Sequence, residues 1–295
     1  MNTAIVTGAT SYLGIELVAR LTHENFKVHV IIRDTTEISR LIARVPDVNI
    51  HTHNGTQKNL NNIFSNIRPN IVFHLASKYV REEAPENVEA LILSNILFGT
   101  QLLEASANCN VKRFINTGSY FQFSNGQKPP VNLYGAAKSA FTKILSYYNN
   151  LNKFYSTTLV IYDIYGPSDW RIKLFPNIAK AVKNKLPLSI PRNEIFLYPV
   201  YYADVLDCYL LAANKLIYEP EDISGKYYAV RDKTPCTISE IIEVFEKVSG
   251  DKVIVKKGGW PKPEQEIDNI WRGKTLSGWK PSHSLLDGIK SMLKE

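Results

Sequence analysis

The sequence predicts an α/β protein, a doubly wound parallel sheet with a smaller α/β lobe. Three observations carry that expectation. Short apolar runs alternate with stretches of helical period from the start of the chain through Gly166. The runs are continuously apolar, as strands covered on both faces are, instead of alternating. The first run also opens directly into a glycine-containing turn before a helix.

Taken in order, TAIVTG reads as a strand and SYLGIELVARLTHE as a helix; KVHVIIR and TEISRLIARV repeat the pair, as do VNIHTH with LNNIFSNI, and NIVFHLAS with NVEALILSNILFGTQLLEASAN. RFINTG is the next buried strand, NLYGAAKSAFTKILSYY a helix, and STTLVIYDIYG one further strand. Such β-α-β repetition gives a parallel sheet with helices on both faces. Past Gly166 and Pro167 the pattern loosens, with Pro176, Pro187, Pro191 and Pro199 interrupting it. VLDCYLLAANKLI, KYYAVR and TISEIIEVFEKVSG then restore helix, strand and helix. The expected division is 1–166 for the main domain and 167–295 for the lobe, partly interleaved with it.

The 295 residues, 44% of them hydrophobic, can bury one large core with a smaller lobe. The net charge of +7 is scattered among acidic residues, which points away from nucleic acid and suits an anionic small molecule. Cys109, Cys208 and Cys236 form neither a CxxC pair nor an even framework, which argues for a reducing compartment. No basic leader precedes the first strand and no uninterrupted apolar run approaches a membrane span, so a soluble, cytoplasmic protein without a membrane partner is expected. His51 and His53 share a strand face without further ligands, so no metal is expected.

TGATSYLG places Gly8 and Gly14 between the first strand and first helix, where backbone N–H groups can face a pyrophosphate. Ser11 stands where a glycine is usual, and its hydroxyl could donate to phosphate. This is the opening of a Rossmann-type dinucleotide-binding domain. The second strand ends in Arg33 and Asp34, where the adenosine ribose should lie; Arg33 suits a 2′-phosphate and Asp34 a free 2′-hydroxyl. NADPH is the expected cofactor and NADH the alternative. Leu75, Ala76 and Ser77, with His74, close the fourth strand and are expected to line the nicotinamide ribose.

Tyr134 and Lys138 lie four apart on one helix face, roughly 5–6 Å between Cβ atoms. An ammonium beside a phenol favours phenolate, so Lys138 is expected to pull Tyr134 down from its ordinary pKa of about 10. Ser119 ends a central strand and can donate to a carbonyl oxygen while Tyr134 delivers a proton. Thr117 either supports this set or is simply packed. Asn95, in an otherwise apolar helix, either faces the site or lies on the helix surface.

These residues resemble the extended short-chain dehydrogenase/reductase family of nucleotide-sugar epimerases, dehydratases and ketoreductases. TGATSYLG, FHLAS, NILFGTQLLEAS, RFINTGS, YGAAK and IYDIYGP occur in the family's order, and GWKPSHSLLDGIKSML is similar to its C-terminal ending. The resemblance implies catalytic positions at Ser119, Tyr134 and Lys138, the last also binding cofactor ribose, and cofactor positions at Gly8, Ser11, Tyr12, Leu13 and Arg33. The family's 4,6-dehydratases carry an Asp-Glu pair where this chain has Tyr120 and Phe121, which removes dehydration from consideration. Arg33 leans from a retained NAD toward exchangeable NADPH and net reduction. NTGSYFQF, PVNLYGAAKSAF and YDIYGPSDWRIKLFP are more similar to reductases of the CDP-abequose and CDP-paratose synthase type than to UDP-galactose 4-epimerase. Asp163 replaces a common asparagine and Val160 a common arginine.

The expected activity is therefore NADPH-dependent reduction of the 4-keto group of a nucleotide-diphosphate deoxyhexose, CDP- or dTDP-linked, in the making of surface-polysaccharide (O-antigen) sugars. A 4-epimerase and a dinucleotide-sensing regulator are the alternatives. Ser119, Tyr120 and Asp163 are expected at the substrate, Arg171 and Lys173 near its diphosphate, and Tyr201 or Tyr202 near sugar or base. Solvated loop cations and a packed aromatic pair are the competing reading of these last four. The resemblance also implies a homodimer formed through the helices of residues 87–107 and 133–150.

Overall fold

The computed structural model describes residues 2–80, 84–123, 130, 132–258 and 271–294. It divides into two compact units. The first holds Met1–Val160, Cys208–Ala229 and Asn269–Leu276; the second holds Ile161–Asp207, Val230–Asp268 and Ser277–Glu295. The first passage between them thus lies at Val160–Ile161, against an expected 166–167, and the chain re-enters the first unit twice.

In the first unit β1 (Thr3–Thr7), α1 (Tyr12–His23), β2 (Lys27–Arg33), α2 (Ser39–Arg44), β3 (Asn49–His53), α3 (Gln57–Ile67) and β4 (Ile71–His74) follow the predicted alternation. After α4 (Pro85–Ile92) and α5 (Phe98–Asn108) come β5 (Arg113–Ser119), α6 (Leu133–Asn150) and β6 (Tyr155–Ile161). Next are β7 (Asp163–Tyr165), α7 (Leu174–Asn184), β8 (Leu188–Ile190), β9 (Phe196–Leu197) and β10 (Pro199–Tyr201). The chain continues through α8 (Tyr202–Tyr218), α9 (Pro220–Ile223), β11 (Tyr227–Val230), β12 (Cys236–Thr237), α10 (Ile238–Ser249), β13 (Val255–Lys257) and α11 (Leu285–Leu293).

The main sheet is Rossmann-like, with seven strands in the order β11-β6-β5-β4-β1-β2-β3. β1 pairs in parallel with both β2 and β4, so Thr7 stands level with Ile31 on one side and His74 on the other. The strand order reverses between β1 and β4, and in open parallel sheets that crevice at the carboxyl ends is where ligands bind. β1 and β4 read as near-continuous apolar runs because both faces are covered, whereas edge strand β3 is half-exposed and carries His51 and His53.

Two departures from the predicted elements matter. STTLVIYDIYG is two strands, because after Tyr162 the chain leaves the main sheet and β7 pairs in parallel with β10. The long helix after β4 is interrupted by a π-helical turn, Leu93–Leu97, in which Phe98 N–H reaches back five residues to the Leu93 carbonyl. Pro85–Asn108 as a whole is long and apolar enough to cross a bilayer by length and composition. Here Leu91, Leu102, Leu103 and Ala105 are fully buried in the protein, and Asn95 is tied to the loop beyond β4.

The second unit has its own core, in which Tyr165, Phe175, Ile178, Ile241, Phe245 and Ile289 pack together. Three two-stranded sheets, β10-β7, β12-β9 and β13-β8, surround it. The buried Asp204 carboxylate pins the segment before α11: it accepts from the Ser282 N–H at 3.1 Å and hydroxyl at 2.7 Å, and lies 2.8 Å from His283 Nδ1.

Candidate active site

The turn after β1 is built by glycine where backbone meets backbone. Gly8 has φ +72°, and a Cβ there would lie 2.6 Å from the Ala76 nitrogen. A Cβ on Gly14 would fall 2.1 Å from the Gly8 carbonyl oxygen. Ser11 caps α1: its hydroxyl donates to the Gly8 carbonyl at 2.8 Å and accepts from the Gly14 N–H at 3.1 Å. The expected hydrogen bond from Ser11 to phosphate is therefore replaced by a cap, because its one proton is already placed. Tyr12 and Leu13 form the buried first residues of α1, at the positive end of its dipole. Arg33 ends β2 with its side chain exposed, and Leu75–Ser77 leave β4 beside Gly8. A tight turn, a helix N-terminus and a cationic strand end at the switch point fit a dinucleotide, with Gly8 to Leu13 toward the pyrophosphate and Arg33 toward the adenosine ribose.

Next to that crevice lie three hydroxyls. The Ser77 and Ser119 hydroxyls stand near enough to the Tyr134 phenol to act on its titration. Ser119, the last residue of β5, caps a short 3-10 turn (Tyr120–Gln122), accepting from Phe121 N–H at 3.4 Å while its own N–H donates to Gln122 Oε1 at 3.0 Å. α6 starts at the Asn132 cap and lies so close to this turn that a Cβ on Gly135 would be 2.3 Å from the Phe121 carbonyl oxygen. The glycine after Tyr134 is thus what lets the tyrosine reach the serine. The ring of Tyr134 meets Tyr79 edge-on, centroids 5.2 Å apart, and Phe121 at 6.3 Å. Tyr120 is buried and stacks on Phe121 at 4.5 Å.

Electrostatics here differ from the expected scheme. Burial pushes the Tyr134 phenol above its ordinary pKa, the Ser77 and Ser119 hydroxyls work the other way, and Tyr79 adds to the rise. Lys138, expected to pull that phenol down, points its Nζ at the Thr117 carbonyl, 2.8 Å away, and burial lowers its own pKa to about 8. Water loss around the phenol sets the direction, and the ammonium is engaged with β5. Thr117 contributes that carbonyl, while its hydroxyl pairs with Tyr209 at 2.6 Å.

Asn95 faces inward: Oδ1 accepts from Lys78 N–H at 2.8 Å and from the Ser77 hydroxyl at 3.0 Å, and Nδ2 donates to the Lys78 carbonyl at 2.9 Å. His74 does not line the crevice with Leu75, Ala76 and Ser77. It is buried under Phe98, Phe114 and Phe141, with Nδ1 2.8 Å from the Thr7 hydroxyl. Sequence reasoning missed the influence of Ser77 on the Tyr134 phenol, and it missed Tyr79 and Gly135. Only the last left a signal, the small residue directly after the tyrosine in YGAAK.

The expected substrate residues of the second unit are placed otherwise. Arg171 makes a two-pronged pair with the buried Asp169, at 2.7 and 2.8 Å, and also reaches the Ile164 carbonyl at 3.3 Å, so the guanidinium meant for a diphosphate serves its own loop. Tyr201, expected near sugar or base, is core: it packs on Tyr165, Tyr202 and His283, and its hydroxyl donates to Ser291 at 3.1 Å. Lys173 precedes α7 with an exposed side chain. Asp163 accepts from the Tyr198 N–H at 3.3 Å.

Residues 4–224 match the NAD dependent epimerase/dehydratase family. The chain belongs to that family. Among curated members, the CDP-abequose synthase of Yersinia pseudotuberculosis is 27% identical over 92% of this chain and 94% of its own length. The CDP-abequose synthase of Salmonella muenchen is 25% identical over 98% and 96%. The UDP-glucuronate 4-epimerase of Thermodesulfobacterium geofontis is 26% identical over 78% and 73%. Solved structures of nucleotide-sugar enzymes share the fold. A UDP-glucose-4-epimerase from Stenotrophomonas maltophila with bound NAD superposes with a TM-score of 0.84 at 17% identity, covering 100% of this chain and 97% of that one.

Proposed function

We propose that the protein is an NADPH-dependent reductase of a nucleotide-linked 4-keto-deoxyhexose, CDP- or dTDP-linked. The observation that carries this reading is the close approach of α6, at the glycine after Tyr134, to the turn that Ser119 caps at the carboxyl end of β5. The bound dinucleotide would supply hydride. Ser119 orients and polarises the carbonyl oxygen, and Tyr134 gives it a proton as it becomes an alcohol. Lys138, held against the Thr117 carbonyl, fixes the α6 face that carries Tyr134.

Burial favours the neutral phenol, the form that a proton donor needs at the start of a reduction. The residues after Ser119 are the aromatic Tyr120 and Phe121, so that turn offers no carboxyl pair for dehydration. Similarity to CDP-abequose synthases along nearly the whole chain supports a sugar nucleotide as substrate. The matches to 4-epimerases favour a second reading, NAD-dependent epimerisation. The two separate in one assay. A reductase oxidises added NADPH in the presence of a CDP- or dTDP-4-keto-6-deoxyhexose, whereas an epimerase purifies with NAD and consumes none.

We further propose a cytoplasmic homodimer serving surface-polysaccharide synthesis. Val88, Leu93 and Leu97 on the long helix and Tyr147 and Leu151 at the end of α6 are exposed apolar side chains that a second copy would cover. A molar mass by light scattering equal to one chain would refute the dimer.

A further inference from the structure

Ser119 leaves β5 with two of its polar groups engaged by the turn that follows. Its hydroxyl accepts from the Phe121 N–H at 3.4 Å, and Gln122 reaches back so that Oε1 accepts from the Ser119 N–H at 3.0 Å. Only the oxygen of a carboxamide accepts from an N–H, so the direction of the Gln122 amide is fixed. Its nitrogen is then left buried with no hydrogen-bond partner among the described residues. An apolar side chain of the same shape would leave no such donor unpaired, so what the carboxamide contributes is its oxygen.

Gly118 makes room for that oxygen. A Cβ there would lie 2.9 Å from Gln122 Oε1 and 2.9 Å from Thr158 Cγ2. Gly118 does not take a positive φ, so this glycine serves as space and not as a turn residue. No other side chain of the turn can replace Gln122, since Phe121 and Phe123 carry no acceptor and the Tyr120 ring stacks on Phe121.

We propose that Gln122 is a positioning residue for Ser119: its oxygen, seated over Gly118, fixes the serine's backbone so that the hydroxyl, which only accepts from the turn, keeps its proton for the substrate oxygen. This rests on the reading of Ser119 as the group that polarises the carbonyl. Gln122 itself makes and breaks no bond.

The test compares Gln122→Met, which keeps the length and loses the acceptor, with Gln122→Glu, which keeps the acceptor and is the other residue that completes such a reciprocal pair. Gln122→Met is also combined with Ser119→Ala. Gly118→Ala displaces the same oxygen and carries the same expectations should methionine fail to fold, which melting temperatures will show. Deuterium exchange of the Ser119 amide, followed by NMR with no sugar present, should be about tenfold faster in Gln122→Met and near the parent rate in Gln122→Glu. With a CDP- or dTDP-4-keto-6-deoxyhexose and NADPH, kcat should fall about tenfold in Gln122→Met with KM within about twofold, and recover in Gln122→Glu. In the Ser119→Ala background methionine should lower kcat no further, because residues that act as one do not add.

Losses that multiply overturn the proposal, since Gln122 would then act otherwise than through Ser119. So do a loss confined to KM and an exchange rate that methionine leaves unmoved. Full turnover in Ser119→Ala alone removes the serine's role and the proposal with it. If the parent enzyme turns over no keto-sugar, the reductase reading fails, and the exchange rates by themselves decide whether Gln122 holds Ser119.

Discussion

The carboxyl edge of the main sheet and the core of the second unit both gather polar side chains, yet they use them in opposite ways. In the second unit each pairing closes on itself. Asp169 takes two nitrogens of Arg171, and Asp204 is saturated by Ser282 and His283. Beside β4 and β5 the Ser77 and Ser119 hydroxyls both act on the Tyr134 phenol, each able to give or accept. A charged pair that is complete holds a loop in place, whereas a set of interchangeable donors can serve a reaction.

Breaking the open set should have the largest effect. Tyr134→Phe removes the proton donor, and kcat should drop by roughly a hundred- to ten-thousand-fold while dinucleotide affinity stays near the parent value. Near-normal turnover would end the assignment. In the closed set, Asp204→Ala strips the partners from Ser282 and His283 and should cost about 3 kcal/mol in denaturant unfolding. A loss below about 1 kcal/mol would mean the clamp carries little. Gly135→Ala forces a methyl onto the Phe121 carbonyl, so a destabilisation of about 1–3 kcal/mol should accompany reduced turnover, and a variant with unchanged melting and kcat would show that α6 can retreat.

The smallest catalytic effect concerns cofactor choice. Arg33→Ala should raise the KM for NADPH about tenfold and leave NADH nearly unaffected, since only the 2′-phosphate loses a charge-assisted bond. Equal changes for both dinucleotides would remove Arg33 from the ribose.

The response to pH tests the buried histidines outside the site. His29 Nδ1 lies 2.9 Å from His51 Nε2, and burial, aided by His51 and Lys27, lowers the His29 pKa to about 4. Burial and Lys138 lower that of His74 to about 3. With the unfolded value near about 6.5, the unfolded chain binds protons first as pH falls. The stability owed to these neutral rings is thus complete above about pH 6.5 and lost progressively toward about pH 4 and below. Melting temperatures recorded from about pH 7 to about pH 4.5 should decline, less so in a His29→Leu variant; a flat profile would contradict the sign.

Most of the fold was legible because its signals are local. Continuous apolar strands, helical periods and the glycine turn each act over a few residues. Within the site, Ser119 and Tyr134 could be read as a set because a strand end and a helix face fix their direction. The direction of Lys138 could not, since the charge that attracts Nζ is a backbone carbonyl on another element. Arg171 reads as a diphosphate ligand because its partner is two residues away in an irregular turn, a pairing with no periodic trace. For Tyr201 the competing reading, a packed aromatic, is the one the structure agrees with, because the core of its own unit surrounds it. Ser77 acts on Tyr134 across 57 positions of chain, a separation that no spacing rule spans.

The π-helical turn at Leu93–Leu97 gives the long helix one residue more than a regular winding would hold. Deleting a single residue there would tighten the coil to a regular helix, leaving the flanking turns nearly in phase but turning the side chains within the bulge away from their present directions. Asn95 would then lose its aim at Lys78, and the loop it anchors would come adrift. A shortened chain would own a better helix and a worse enzyme, so this irregular winding works as an angular spacer whose length is set by what it must point at.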